Sequence, residues 1–508
     1  MAPATVKAPS RIEFITFPVF ALTWHASAPN TRYSCNVLAY CGGGGSAKTG
    51  VGNTVQIVIT TPSEGQRVVA IDTGVEIGVS VALHQPFHSR DLEGSLWVLI
   101  AVGDEARLYS IPILCHDDDS DENNDSDENE NNNDDKKGAK LLAKAHLGEK
   151  YGANTVAFNP MGNGIAVGCE NGNVVIYNLL SEMANDVTTF QLEKYTDMQG
   201  HIKAVCAVKF HPRDGTVLMS SAKDGTCRVL NLRTQQPIDV LHCKIYDPNQ
   251  RPPPTNANIL NPKPGQLLVR GCAFGDLNGT LIYTVQSGRK GSAFLSSWKL
   301  LSTPNQTPPQ QQHTNQPQQQ TQQQPKLHFQ EQFRKPISPF PVSAMSLSGD
   351  FSTMAIGDTN GTVTLLSTET FKPLKKWDTV HDLPVTCIAA RPLPMELPGE
   401  QLTGVKVDAV SASADNRLTS LTLQRKSTLK PVNTRKSRQT NASSHSLISY
   451  LLAIFILFTL AFIFKVSYDI CSGEITGTYS DLDAITECVF HTVLFAPSDR
   501  PGVSFVPH

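Results

Sequence analysis

The stretch GGGGSAKT, Gly42 to Thr49, holds glycines, a lysine and a threonine at a spacing close to the phosphate-binding pattern G-x-x-x-x-G-K-[ST], with Ala47 where the second glycine would stand. Such a loop would present backbone N–H groups to phosphate oxygens at the start of a helix, with Lys48 adding a charge. The context argues otherwise. In NTVQIVIT, Asn53 to Thr60, Val55, Ile57 and Ile59 alternate with Thr54, Gln56 and Val58, which is strand periodicity in β-branched residues. The loop is therefore read as joining strand to strand. Other chemistry is weakly signalled: the 11 cysteines show no C-x-x-C pair, and His25, His201 and His211 have no partner spacing of an acid–base or metal site, so they read as core or turn residues. No covalent catalysis is expected.

Between Phe17 and Leu423 the chain repeats a loose unit of about forty residues, three short strands separated by polar turns. The clearest copy is GHIKAVCAVKFHPRDGTVLMSSAKDGTCRVLNL, where Gly200-His201 opens the unit, Asp224-Gly225 makes a turn, and Leu230-Asn231 takes the place of the Trp-Asp pair of a WD repeat. A weaker copy precedes it, with Asn171-Gly172 as a hairpin turn that needs φ > 0. Similar grammar runs through Val269–Leu300, Val342–Ser367 and Val385–Leu423, and two divergent units, Phe17–Thr60 and Val69–Ile113, come first. Seven units suit a closed ring, which leaves only short protected edges. The expected fold is all-β, a seven-bladed WD-repeat-like β-propeller over 11–424, followed by one C-terminal transmembrane helix.

Composition divides the chain further. The net charge of −3 hides an acidic run, Asp117 to Asp135, with 11 acidic residues and no basic one. That run and the Gln- and Pro-rich 302–326 cannot bury enough apolar surface to order themselves, so 116–138 and 302–326 read as disordered surface inserts. LISYLLAIFILFTLAFIF, Leu447 to Phe464, has 18 residues and no charge. At ~1.5 Å per residue it spans roughly 27 Å, the thickness of a thin bilayer such as that of the endoplasmic reticulum. A transmembrane helix is expected over 447–466. The preceding linker, 425–446, carries six lysines or arginines in Arg425 to Arg438, which places the large N-terminal region in the cytosol and the tail 467–508 in a lumen. Cys471 and Cys488 would then share an oxidising compartment. Nucleic-acid binding is not expected, since the basic residues cluster beside the membrane and the longest charged run is acidic.

A cytosolic propeller on one C-terminal anchor, with G-G-G-G-x-x-x-x-G-[IV]-x-N in its first blade, resembles the endoplasmic-reticulum exchange factors that activate the Sar-family GTPase of the COPII coat. The match rests on Gly42, Gly43, Gly44, Gly45, Gly50, Val51 and Asn53. The resemblance implies a guanine-nucleotide exchange factor at the endoplasmic-reticulum membrane, acting without covalent chemistry to start COPII coat assembly. Its partners would be the Sar-family GTPase and, through it, coat components. By the same resemblance the backbone of Gly42 to Gly45 would hold a potassium ion, and Gly50, Val51, Asn53 and Lys48 would engage the GTPase. Spacing alone makes Asn53 an ordinary turn residue and Lys48 a solvated one. A membrane-tethered scaffold without exchange activity is the competing reading, in which the loop is a replaceable connection.

Overall fold

In a computed structural model of the chain, the described residues are 11–27, 33–46, 49–86, 94–114, 138–184, 187–243, 267–288, 291–302, 327–393 and 406–423. The chain divides into two units, Met1–Gln424 and Arg425–His508, and the second lies wholly outside the described residues. Among the described residues no helix is long and apolar enough to cross a membrane; the segment expected to do so, 447–466, lies outside them, as do 116–137 and 303–326 of the two inserts.

The first unit is built from seven four-stranded antiparallel sheets. The first blade comprises β2 (Val19–Ala26), β3 (Asn36–Gly42), β4 (Asn53–Thr61) and β5 (Gly65–Gly74), and the N-terminal strand β1 (Arg11–Phe14) lies elsewhere. Blade two holds β6 (Gly78–His84), β7 (Ser95–Val102), β8 (Glu105–Pro112) and β9 (Lys140–His146); blade three β10 (Ala153–Phe158), β11 (Gly164–Cys169), β12 (Asn173–Ala184) and β13 (Val187–Gln199). Blade four holds β14 (Val205–Phe210), β15 (Val217–Ala222), β16 (Thr226–Asn231) and β17 (Gln236–His242); blade five β18 (Leu268–Phe274), β19 (Leu281–Ser287), β20 (Ala293–Ser302) and β21 (Leu327–Ser338). Blade six holds β22 (Val342–Leu347), β23 (Thr353–Asp358), β24 (Val363–Ser367) and β25 (Pro373–Trp377). Blade seven takes β26 (Val385–Ala390), β27 (Ala409–Ser413) and β28 (Arg417–Leu421) from the C-terminal end, and β1 completes it by pairing antiparallel with β28.

The innermost strands touch in a closed cycle, β2, β6, β10, β14, β18, β22, β26 and back to β2. Each junction between neighbouring blades has its own apolar cluster. Val37, Ile57 and Ile59 of blade one meet Leu96, Val98 and Ile100 of blade two, and Phe17, Val19 and Tyr40 meet Val410 and Leu418 of blade seven across the closing junction. Both faces of a blade are therefore covered. This explains the uniform burial of β11 (GIAVGC), whereas β4, with threonine and glutamine between its apolar positions, alternates buried with half-buried.

Every innermost strand carries a β-bulge near its start, at Phe20, Val79, Asn154, Cys206, Arg270, Ser343 and Thr386. Three of these extra residues reach the next blade: Asn154 Nδ2 donates to the Val205 carbonyl, Ser343 Oγ to that of Val385, and Thr386 Oγ1 to that of Val19, each at 2.5 Å. The bulges thus act as latches around the ring.

Two histidines, His25 of β2 and His84 of β6, are packed within the first two blades. His84 lies against Phe158 and Trp97, with ring centroids 5.4 and 6.0 Å away, and burial together with the nearby His25 pushes its pKa down to about 4. Burial likewise lowers the pKa of His25, outweighing its hydrogen bond to Gln85. Both imidazoles stay neutral in the fold while the unfolded chain takes up protons near pH 6.5, so stability is full above that pH and is lost as pH falls from 6.5 toward 4. We expect the thermal midpoint to drop across that window, with His84 contributing about 2 kcal/mol by pH 4.5. In His84→Gln the drop should be visibly smaller; an unchanged pH profile would refute the assignment.

Candidate functional site

The glycine loop joins β3 to β4, the second and third strands of blade one, so no helix follows it and the geometry of a phosphate loop is absent. Antiparallel order puts this loop on the same rim of the ring as every connection from an outermost strand to the next blade. Two such connections hold it. From β1 to β2, the Pro18 carbonyl accepts the Gly43 N–H at 3.1 Å, and a Cβ on Gly42 would stand 1.8 Å from that oxygen. From β5 to β6, the turn Thr73–Ile77 packs beneath the loop, with Ile77 Cδ1 3.2 Å from where a Cβ on Gly45 would be.

Asn53 fastens these parts together. It is 5% exposed, and its Oδ1 accepts the Gly45 N–H at 2.9 Å while Nδ2 donates to the carbonyls of Gly74 at 3.0 Å, Val75 at 2.8 Å and Gly45 at 3.3 Å. One carboxamide thus closes the loop on itself and ties it to the neighbouring turn. Gly43 has φ +144°, and a Cβ there would meet Asn53 Oδ1 at 2.3 Å, so its glycine is required by both backbone and contact. A second tier supports the turn: Arg107 of β8 donates to the Thr73 carbonyl at 3.1 Å and is itself held by Glu105 at 2.7 Å. Burial opposes ionisation of Glu105, but hydrogen bonds from Lys144 and Arg107 outweigh it and keep its carboxyl below the ordinary range.

Three residues assigned to GTPase contact therefore occupy distinct places. Gly50 is exposed at the loop's crest with φ +75° and open space around it. Asn53 is buried at the base, its carboxamide committed to the backbone; any contribution to a partner is through loop shape. Val51 is half-buried and packs against the Phe17, Val19 and Tyr40 cluster instead of forming an apolar tip. Lys48 lies outside the described residues. The exposed apolar side chain next to the loop is Val75, 70% exposed, whose carbonyl Asn53 holds. Sequence reasoning missed Val75 because Val69 was placed at the start of the second unit, whereas Val69 belongs to β5 of the first. The Glu64-Gly65 turn was the available signal.

The loop Gly42–Asn53 contains no carboxylate, and among the described residues no group of three or more His, Cys, Asp or Glu side chains could hold a metal. Neutral oxygens, carbonyl and hydroxyl, suit a weakly hydrated monovalent cation better than a divalent one. Gly42, Gly43, Gly44 and Gly45 are compatible with potassium on that ground, although the Gly45 carbonyl already accepts Asn53 Nδ2.

The histidines resolve into structural roles. His201 places Nδ1 3.2 Å from Asp224 and Nε2 2.9 Å from Ser220, and His381 repeats this with Asp415 at 3.2 Å and Ser411 at 2.9 Å. The composition is that of a hydrolytic triad, but both imidazoles are 0% exposed and the serines are fully buried, so the sets brace the junction between a blade and the loop entering it. His211 sits in a turn, its Nδ1 accepting the N–H groups of Arg213 and Asp214.

The profile described as WD domain, G-beta repeat, matches residues 140–178 and 192–231. Each match begins in the outermost strand of one blade and ends in the third strand of the next, the phase that obliges the ring to close with β1. With these repeats and seven sheets in a closed cycle, the protein is a WD-repeat β-propeller. Among solved structures it is similar to Sqt1 of Chaetomium thermophilum, described as bound to the N-terminus of the ribosomal protein L10, at 14% identity over 80% of this chain and 96% of that one, with a TM-score of 0.46. No curated protein matches the chain.

Proposed function

We propose that this WD-repeat propeller is a guanine-nucleotide exchange factor for a Sar-family GTPase at the endoplasmic-reticulum membrane, where it starts COPII coat assembly. The observation that carries the reading is the braced loop Gly43–Gly52: its glycines and Asn53 match the motif of that family, and its base is fixed by hydrogen bonds that it donates to carbonyls of two flanking connections. A loop fixed before encounter loses less entropy on binding than a mobile one. Val75, Ile202, Phe340 and Leu383 are exposed apolar residues on connections of the same rim, available to widen the interface. The mechanism is linkage: a protein that binds the nucleotide-free GTPase more tightly than the loaded form weakens nucleotide binding by the same factor. Potassium, held by Gly42 to Gly45, would stiffen the loop. The expected anchor at 447–466 would hold the chain on the membrane where such a GTPase acts.

The test is release of a fluorescent GDP analogue from a Sar-family GTPase by the purified chain, in potassium and in sodium. Acceleration in potassium that falls at least severalfold in sodium is expected. No acceleration in either would leave a membrane-tethered scaffold.

A further inference from the structure

The ring encloses a cavity of about 550 Å³ on its axis, walled by the innermost strands of all seven blades. Its wall contains two cations, Lys209 and Arg270, and no aspartate or glutamate. Neither cation takes part in an ion pair among the described residues, and Arg270 Nε is buried with no hydrogen-bond partner there. That is unusual inside a protein, where a charge taken from bulk water is ordinarily paired. Lys209 is exposed to the water of the cavity, and the surrounding ring wall desolvates its amine enough to lower its pKa.

Register makes the placement specific. Arg270 occupies the bulge of β18, the position from which Asn154, Ser343 and Thr386 reach the next blade, and it is the one charged residue among the seven bulges. Lys209 stands three residues beyond the equivalent position in β14, Cys206, or roughly 10 Å further along the axis. At its level the neighbouring wall positions are small, Thr23, Ala273, Ser346 and Ala389. Space is therefore left in front of the amine. Ser80 and Ser346 each accept a backbone N–H from the next blade, from Val156 at 3.2 Å and Ala390 at 3.0 Å, so their own O–H groups remain to donate.

We infer that the axial cavity is a binding site for a small polyphosphorylated molecule, with Arg270 and Lys209 contacting phosphate groups at two levels and Ser80 and Ser346 donating hydrogen bonds. A guanidinium and an ammonium with hydroxyl donors form a phosphate-binding set, and two levels favour several linked phosphates over a single anion. The site is separate from the glycine loop and does not depend on exchange activity.

The experiment is calorimetry on the full chain with tripolyphosphate as probe and citrate as a carboxylate control. Saturable 1:1 binding of tripolyphosphate is expected, weakened at least tenfold in Lys209→Met with Arg270→Gln, with citrate bound much more weakly. Ala273→Asp, which keeps both cations but adds a carboxylate at the Lys209 level, should weaken binding similarly and guards against a folding defect in the double variant. Protection of Lys209 from amine acetylation by tripolyphosphate, read by mass spectrometry, should accompany binding. No saturable binding, equal binding by the variants, or citrate binding as tightly as tripolyphosphate would each overturn the inference.

Discussion

Asn53→Ala should reduce exchange on a Sar-family GTPase at least tenfold while leaving the seven-bladed ring folded. The substitution removes the acceptor for Gly45 N–H and the donor to the carbonyls of Gly74 and Val75, so loop and turn come apart at one step. Water can reach some of the freed groups at the rim, and the loss of stability should be about 1–3 kcal/mol. Its effect on exchange is of another kind, because a loop that must be ordered at each encounter has lost its preorganisation; tenfold corresponds to about 1.4 kcal/mol at the transition state. Asn53→Asp is the sharper variant. It keeps an acceptor for Gly45 N–H but sets a carboxylate oxygen against the carbonyls of Gly45, Gly74 and Val75, and should fail like alanine. Circular dichroism and exchange should be measured on the same samples. Wild-type rates in both variants would mean that the loop is only a connection.

Asp224→Ala should be the most destabilising single change at the blade three to four junction, costing about 3–5 kcal/mol. The carboxylate is 4% exposed and accepts from Ile202 N at 3.1 Å, Thr226 N at 2.9 Å and Thr226 Oγ1 at 2.7 Å, and it faces His201 Nδ1 at 3.2 Å. Burial opposes its ionisation, but His201 and Thr226 outweigh that and hold its pKa far below the ordinary value. A depressed carboxyl pKa gives stability that is present above the unfolded value, near 3.9, and is lost as pH falls below it. The wild type should therefore show an acid-dependent fall below pH 4 that the alanine variant shows less strongly. A thermal midpoint within a degree of wild type would refute the bracing role.

The repeat number and the turns were legible because they rest on local chemistry. Asn171-Gly172 and Asp224-Gly225 place glycine at φ +95° and +87°, where other residues are strained, so the hairpins announce themselves. What was not legible depends on distant pairing. RIEF, the four residues of β1, alternates charged and apolar residues but is too short to announce a strand and is exposed along its whole length; only β28, about four hundred residues later, gives it a partner. His381 and Asp415 gave no signal for a related reason, since their spacing differs from that of His201 and Asp224 and they meet only once blade seven is assembled. At the loop, sequence identified the glycines but misplaced the side chains beside them. A short apolar residue between two glycines reads as a tip, and nothing local reveals that Val51 lies over the first blade's cluster or that Asn53 turns inward.

The sharing of blade seven between the two ends of the domain has a consequence for synthesis. Among the strands of the domain β1 is made first, yet its partner β28 is made last. Until blade seven emerges the nascent ring stands open, with β2 lacking its neighbour β26 and the apolar surfaces of blades one and six uncovered at the gap. Joining ends some four hundred residues apart would cost about 5 kcal/mol of chain entropy for a flexible chain. Blades already stacked in sequence shorten that search to a small gap, so the final closure is a docking of prepared edges. The nascent domain should accordingly depend on chaperones most strongly just before its last forty residues emerge.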